Sequence, residues 1–313
     1  MNFKRTLLSL TIISSILLSN FLFESTKIDE VEVKGPKFIT MDSRKIVSST
    51  SLAPYKTQDR YISQEYSADF NFSSVGISWY EALPVGTKVE LAIRFKVDNK
   101  WTKWLDTEEE EDFFQDDKNA VKKYALASTN LATAVQYKFA MFGDGKNSPY
   151  IKDINTHFIR SGKMINIPEF LRGEYASSIS TTSTENLANP IGIIDRETWG
   201  GNESYRYLSN NSIEPDLIEL SDDFYEEFAD ELIIDRTVEH DENGDKYKWP
   251  LQYPEEVKKI IVHHTTGTSN LDNPMQAVRD IYYYHSMSRG WGDIGYNYLI
   301  DQDGHVYEGR YGG

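Results

Sequence analysis

At 313 residues the chain is long enough for two ordinary domains, and its formal net charge of −16 argues against nucleic acid and against charge-driven attachment to anionic lipid or wall polymers. With no cysteine it has no disulfide framework, no thiolate metal site and no cysteine to acylate. An exported protein without disulfides fits a bacterial product better than a small secreted animal domain.

Lys4 and Arg5 precede an apolar run over residues 6–23, broken only by serines, threonines and Asn20. A basic start followed by an apolar stretch predicts export, with residues 1–28 read as a signal peptide or an N-terminal anchor. The run approaches the about 20 residues that span a bilayer, so residues 6–23 are also a candidate membrane tether. The product is expected to be secreted or held in the cell envelope.

Residues 36–160 read as an all-β sandwich. Val89, Leu91, Ile93, Phe95 and Val97 alternate with Lys88, Glu90, Arg94 and Lys96, and Val135, Tyr137, Phe139 and Met141 repeat the period-two pattern. Turn residues such as Gly86 and Gly143-Asp144-Gly145 separate the strands, and no convincing helix interrupts them. Trp79, Trp101 and Trp104 invite a sugar-stacking role, against the plainer reading that Trp101 and Trp104 cover the core. The acidic run 108–112, with Asp116 and Asp117, has the density of a calcium site but lacks the spacing that converges carboxylates on one ion, which favours a solvated loop.

Residues 161–189 are Ser/Thr-rich and read as a linker. Residues 190–313 form a second unit, predicted to be an α/β domain with a mixed sheet. Its acidic stretch 202–250 reads as an insertion without an assigned role, with one short helix marked by Phe224, Phe228 and Leu232, and with His240 on the surface. Residues 258–264 predict a buried strand through Ile260, Ile261 and Val262. Asn273 predicts an N-cap, followed by Pro274 at the first helical position and a helix ended by Gly290. Residues 294–300 predict a second strand, with a hairpin turn at Gln302-Asp303-Gly304 and a return over 306–308. That turn accounts for Asp301 and Asp303 without calcium and leaves His305 exposed.

The chemistry gathers at the end of the first of these strands. His263 and His264 are neighbours, so a straight strand offers only one of them to a given site. A neutral imidazole opening into a Gly/Ser/Thr loop suits a zinc ligand, and equally suits one packed and one solvated histidine. His285 falls on the apolar face of its helix. Tyr296 and Tyr298 share one face of their predicted strand, and periodicity does not choose between them. Arg310 has the planar fork that pairs with a carboxylate, in a substrate or in a surface ion pair.

The segments IIVHHTTG, YYYHSMSRGW and GDIGYNYLIDQDGHVYEGR, in that order, together with an upstream DRETWGG, resemble the N-terminal half of the zinc-dependent N-acetylmuramoyl-L-alanine amidases of the peptidoglycan-recognition-protein type, the type 2 amidases. More loosely, residues 70–104 are similar to the β-rich module that often precedes such amidases. The resemblance implies a zinc cofactor with His263 as its first ligand and Tyr296 as the catalytic tyrosine. The family's remaining ligands, a histidine and a cysteine or aspartate, fall beyond Gly313. It further implies that Trp291 and Asp293 fix the turn before Tyr296, and that His264, His285 and Arg310 line or support a substrate groove. The implied partner is peptidoglycan and the implied reaction is hydrolysis of the amide between N-acetylmuramic acid and L-alanine. The alternatives are a non-catalytic peptidoglycan binder of the same fold and a carbohydrate-adhesion protein led by the sandwich.

Overall fold

The structure is a computed structural model that describes residues 28–41, 54–107, 110–111, 120–162, 192–208, 234–268 and 270–310. The predicted export segment, the linker, most of the acidic run and the helix proposed around Phe224 lie outside the described residues.

Period-two alternation becomes strand wherever one face can be buried. Eleven strands come first: β1 (Ile28–Lys34), β2 (Phe38–Thr40), β3 (Thr57–Ile62), β4 (Phe72–Ala82), β5 (Lys88–Val97), β6 (Lys100–Trp101), β7 (Leu105–Asp106), β8 (Glu110–Glu111), β9 (Val121–Ala132), β10 (Ala134–Gly143) and β11 (Tyr150–Ser161). They form two sheets, one ordered β1-β11-β4-β9 with β2 on β11 and β8 on β9, the other β3-β10-β5-β6 with β7 on β5. Phe72, Val75, Ile77, Trp79, Ile93, Phe95, Tyr137, Phe139 and Phe158 meet between them as the main core. Each large apolar side chain fully removed from water there contributes about 1.5–3 kcal/mol. The first sheet begins at Ile28, ahead of residue 36: Val31 and Val33 alternate with Glu30 and Glu32, and β1 pairs along its whole length with β11.

Trp79 is no sugar platform. It is fully buried, edge-on to Phe139, and its indole N–H donates to Glu81. Trp101 and Trp104 are half-buried on the outer side of the other sheet. The Arg94 guanidinium lies 4.7 and 4.6 Å from their ring centroids. Cation–π contacts of this kind hold both rings down over the strands.

The C-terminal part adds few regular elements. A four-residue helix, α1 (Arg196–Trp199), and a 3-10 turn over Glu203–Arg206 precede a hairpin of β12 (Ile234–His240) and β13 (Lys246–Pro254). Then come β14 (Thr266–Gly267), α2 (Pro274–Tyr283), a π-turn over Tyr284–Ser288, and the ribbon of β15 (Tyr298–Ile300) and β16 (Val306–Glu308). The start of α2 follows the sequence rule, since the Asn273 side chain accepts from the Gln276 amide with Pro274 just inside.

The predicted mixed sheet is not formed among the described residues. Residues 258–264 are irregular backbone, and Ile260, Ile261 and Val262 are 83–88% exposed. An apolar run on both faces of a strand needs neighbouring strands and covering layers. The edge on offer is that of β9, and β14 takes it, pairing parallel with Ala127 and Ser128. The second predicted strand is also shorter, because Gly292 and Gly295 turn the chain before β15 and leave Tyr296 in a loop.

β14 and α2 join the C-terminal part to the sandwich. Val75, Ile77 and Trp79 of β4 face the core, while Ser74 and Gly76 face α2. Gly76 is required there because the Tyr284 ring occupies the space a Cβ would fill. Asp280 is fully buried on this face. Its carboxylate accepts from the hydroxyls of Ser73 and Ser74 and from the Ser161 amide at 2.8 Å. Gln276, one turn earlier, donates to the Ser161 carbonyl at 2.8 Å.

Burial pushes the Asp280 carboxyl above the usual carboxylate range, against the lowering effect of its hydrogen bonds. The folded state therefore binds this proton more tightly than the unfolded chain. Its contribution to stability is complete below the unfolded value and is lost as pH rises through the folded value. Asp280→Ala, which strands several buried donors, is expected to cost about 2–4 kcal/mol in denaturant unfolding. Asp280→Asn should cost less and remove that part of the pH dependence.

Candidate functional site

The site is built on a turn fixed from below. In α1, Asp195 caps the helix by accepting from the Thr198 amide, and Gly200 closes it in the left-handed region. Trp199 is fully buried against Tyr282 and donates its indole N–H to the Glu308 carbonyl at 2.8 Å. Arg196 reaches Asp293 at 3.0 Å, Glu203 at 2.6 Å and the Gly309 carbonyl at 2.6 Å. Arg206 closes the square, 3.2 Å from Asp293 and 3.0 Å from Glu203. Asp293 also accepts from the Ile294 amide. It is thus a buried anchor for the loop that carries Tyr296, not a group open to a reacting molecule.

Above this anchor stands a row of rings. His263 lies with its ring centroid 5.3 Å from that of Tyr296, Tyr296 lies 5.5 Å from His285, and His285 lies 4.8 Å from Trp291. Trp291 continues to Trp249 at 5.9 Å. His263 is exposed and Tyr296 half-buried, whereas Tyr298 is 58% exposed. Burial thus separates the two tyrosines that periodicity does not. His264 is exposed beside its neighbour. His285 is buried, and its Nδ1 accepts from the Gly295 amide at 3.2 Å. Burial, and secondarily the Arg289 charge, push its pKa down to about 3, so it stays neutral at physiological pH and acts as a fixed wall.

Arg310 is not in a surface ion pair. Its guanidinium stacks on Trp249 at 3.6 Å and donates to the Pro250 carbonyl at 2.7 Å. The hairpin that supplies Trp249 and Pro250 belongs to the acidic stretch 202–250, and sequence reasoning gave it no role. Its signals were present: Tyr247, Trp249, Leu251 and Tyr253 alternate after an Asn243-Gly244 turn. His240 and His305 are exposed, and His305 pairs with Asp301 across the β15–β16 turn.

A zinc ion needs three protein ligands around it. His263 has the exposure and the neighbour for one of them. Among the described residues, the group of three that brings ligand atoms within 4.8 Å of one another is Asp301, Asp303 and His305. Asp301 there already accepts from the amides of Asp303 and His305 and from the Tyr307 hydroxyl, which is turn chemistry. A full donor set around His263 is therefore not present among the described residues.

Residues 253–312 match the N-acetylmuramoyl-L-alanine amidase family. Mouse peptidoglycan recognition protein 1 is 43% identical over 56 residues, covering 17% of this chain and 31% of that protein. Its Bos taurus counterpart is 47% identical over 57 residues, 17% of this chain and 30% of that protein. Peptidoglycan-recognition protein LE of Drosophila melanogaster is 43% identical over 63 residues, 20% of this chain and 18% of that protein. The chain thus spans about a third or less of the length of these relatives. A Podospora anserina GH26-CBM35 beta-(1,4)-mannanase structure aligns over 53% of this chain and 36% of that one at 12% identity and a TM-score of 0.21, too distant to bear on fold or function. Residues 253–312, which carry His263, His285, Trp291 and Tyr296 of the ring row, are thus similar to the N-acetylmuramoyl-L-alanine amidases, and this part of the chain to the peptidoglycan recognition proteins.

Proposed function

We propose that the protein is an exported, zinc-dependent N-acetylmuramoyl-L-alanine amidase, acting on the amide between N-acetylmuramic acid and L-alanine in peptidoglycan. The observation that carries this reading is the exposed His263 ring set 5.3 Å from the Tyr296 ring, beside a wall of neutral His285 and Trp291. Export rests on Lys4, Arg5 and the apolar run that follows. Among the described residues, no helix is long and apolar enough to cross a membrane.

Cleaving this amide requires water to add to the carbonyl carbon, a negative charge to gather on its oxygen, and the C–N bond to break with a proton passing to the alanine nitrogen. A bound zinc, held by His263 together with further ligands, would supply an activated water and a Lewis acid for the carbonyl. The chain's own contribution is orientation and hydrogen bonding. The Tyr296 phenol donates to the developing oxyanion or orients the attacking water, an interaction stronger in the transition state than in the ground state. His285, neutral and buried, holds the Gly295 amide and with it the loop bearing Tyr296. Trp291 screens one side of the reacting group from solvent.

A second reading is a peptidoglycan binder of the same fold that performs no hydrolysis, since the similar proteins are named peptidoglycan recognition proteins. Purified sacculi distinguish the two. Supplied with zinc, the protein is expected to release L-alanine-linked peptides, and chelation or His263→Ala should abolish the release. Tyr296→Phe should lower kcat by about 10²–10³ with little change in KM. Turnover that survives chelation would sink the metal assignment. Retained sacculus binding with no turnover would establish the binder.

A further inference from the structure

A second line of contacts runs from the ring row onto the sandwich. Arg289, at the end of the π-turn, is clasped between two rings, its guanidinium 4.1 Å from the Trp291 centroid and 3.8 Å from that of Tyr124 on β9. Lys122 lies two residues before Tyr124 and so on the same face of β9. Its Nζ is 5.3 Å from the Tyr124 ring and 5.8 Å from that of Tyr80 on β4. Lys152 on β11 reaches the same Tyr80 ring at 5.4 Å. Ring and cation thus alternate from Trp291 to Lys152.

Strand register explains this line. Tyr80 stands directly opposite Lys122 on one neighbouring strand and Lys152 on the other, so one row across β11, β4 and β9 reads lysine, tyrosine, lysine. Trp79 points into the core, which turns Tyr80 and the two lysines to the outer face. Arg289, Lys122, Lys152 and Tyr80 are all half-buried. Glu32, on β1 of the same sheet, pairs with His157 at 4.0 Å. Packing at the seam between the two parts accounts for Arg289. It does not account for the lysines, which lie further out along the sheet than the Gly76 row that seats Tyr284. In a chain of 49 acidic and 33 basic residues, three cations lined up against three rings beside the candidate site depart from the acidic average.

We propose that Arg289, Lys122 and Lys152 form a track for the acidic stem peptides that neighbour the one in the candidate site, with Tyr80 as the positioning residue of both lysines. This rests on the amidase reading above and gives the sandwich a part in it, binding of the polymeric form of the substrate. Peptidoglycan repeats an acidic stem along a glycan strand, and a line of cations held in place by rings is the complementary arrangement. A cation held against an aromatic ring loses less freedom on binding than a fully solvated one. Several weak contacts on one polymer then reinforce each other through effective concentration. The net negative charge of the whole chain gives no long-range attraction, so the track acts at contact distance, within a Debye length of about 8 Å.

The test titrates the full chain, with a chelator present to prevent turnover, against a disaccharide bearing one stem peptide and against a strand of four such disaccharides. Both probes are used again after amidation of their stem carboxylates. For the wild-type protein, amidation should weaken the strand about tenfold more than the single unit, and high salt should erase that excess. Lys122→Gln combined with Lys152→Gln should erase it too, without shifting the unfolding midpoint. Tyr80→Ala should lose most of the excess, and Tyr80→Phe, which keeps the ring, should retain it. An equal effect of amidation on strand and single unit, or an excess that survives the double glutamine variant, overturns the track and leaves the amidase reading standing. Displacement of the strand by poly-L-glutamate at equal carboxylate concentration overturns the assignment to stems carried on a glycan. An excess that survives Tyr80→Ala overturns the positioning role. Binding of neither probe by the wild-type protein overturns the peptidoglycan reading, and this inference with it.

Discussion

A single buried carboxylate sets the position of nearly everything in the C-terminal part. Asp280 sits on the outer face of the β4–β11 sheet with donors from both strands: Ser73 and Ser74 on one and the Ser161 amide on the other. A hydrogen bond to each strand fixes both the height of α2 along the sheet and its rotation about its own axis. Gln276, Asp280 and Tyr284 follow one another at four-residue spacing, so they form one stripe facing the sandwich. The opposite side, with Val278, Ile281 and Tyr282, closes over Trp199, Ile294 and Tyr307. Once Tyr284 is seated on Gly76, the next residue, His285, has one direction available, and that direction is the ring row.

The ring row is thus carried by two buried polar networks rather than by extended sheet. Asp280 places the helix end, and the square of Arg196, Arg206, Glu203 and Asp293 places the turn before Tyr296. Buried ion pairs contribute little net stability, since desolvation offsets most of the Coulomb gain. What they impose is geometry, because leaving Arg196, Arg206 or Asp293 alone in the interior is far more costly than keeping the set, which Glu203 closes from a partly exposed position. Arg196 also holds the Gly309 carbonyl, next in sequence to Arg310. The α1 motif therefore supports both the tyrosine loop and the cation beside it.

The elements governed by local rules were legible in the sequence. The start of α2 follows from Asn273 and Pro274, the β15–β16 turn from Asp303-Gly304, and the two-sheet core from alternating Val, Ile and Phe. Ordered resemblance singled out His263 and Tyr296, which neither spacing nor period distinguishes from His264 and Tyr298. The failures involve contacts between distant parts. Ile260, Ile261 and Val262 have the composition of an interior strand, but β propensity mostly expresses packing against neighbours, and none of the described strands pairs with them. No local rule says that Asp280 and three serine donors, some 120 to 207 residues apart in the chain, will meet. On a helical wheel that aspartate reads as solvent-facing.

The hairpin shows how a stretch with an uninformative average can still hold specific chemistry. Its surroundings are so acidic that composition suggests a solvated insertion, and the charge hides the alternation of Tyr247, Trp249, Leu251 and Tyr253. Folding turns that alternation into a ribbon with aromatic contacts on the side of the ring row: Tyr247 stacks with Tyr207 under Arg206, and Trp249 meets Trp291 and Arg310. Two arginines near one another repel, and the Asp293 carboxylate, which pairs with Arg206, offsets that repulsion at Arg310 as well. The aromatic face of Trp249 adds a cation–π contact at 3.6 Å to the Arg310 guanidinium. The hairpin therefore fixes the Arg310 guanidinium twice over, through the Trp249 ring face and through the Pro250 carbonyl that accepts from its Nη2, two contacts that the acidic average of the stretch conceals.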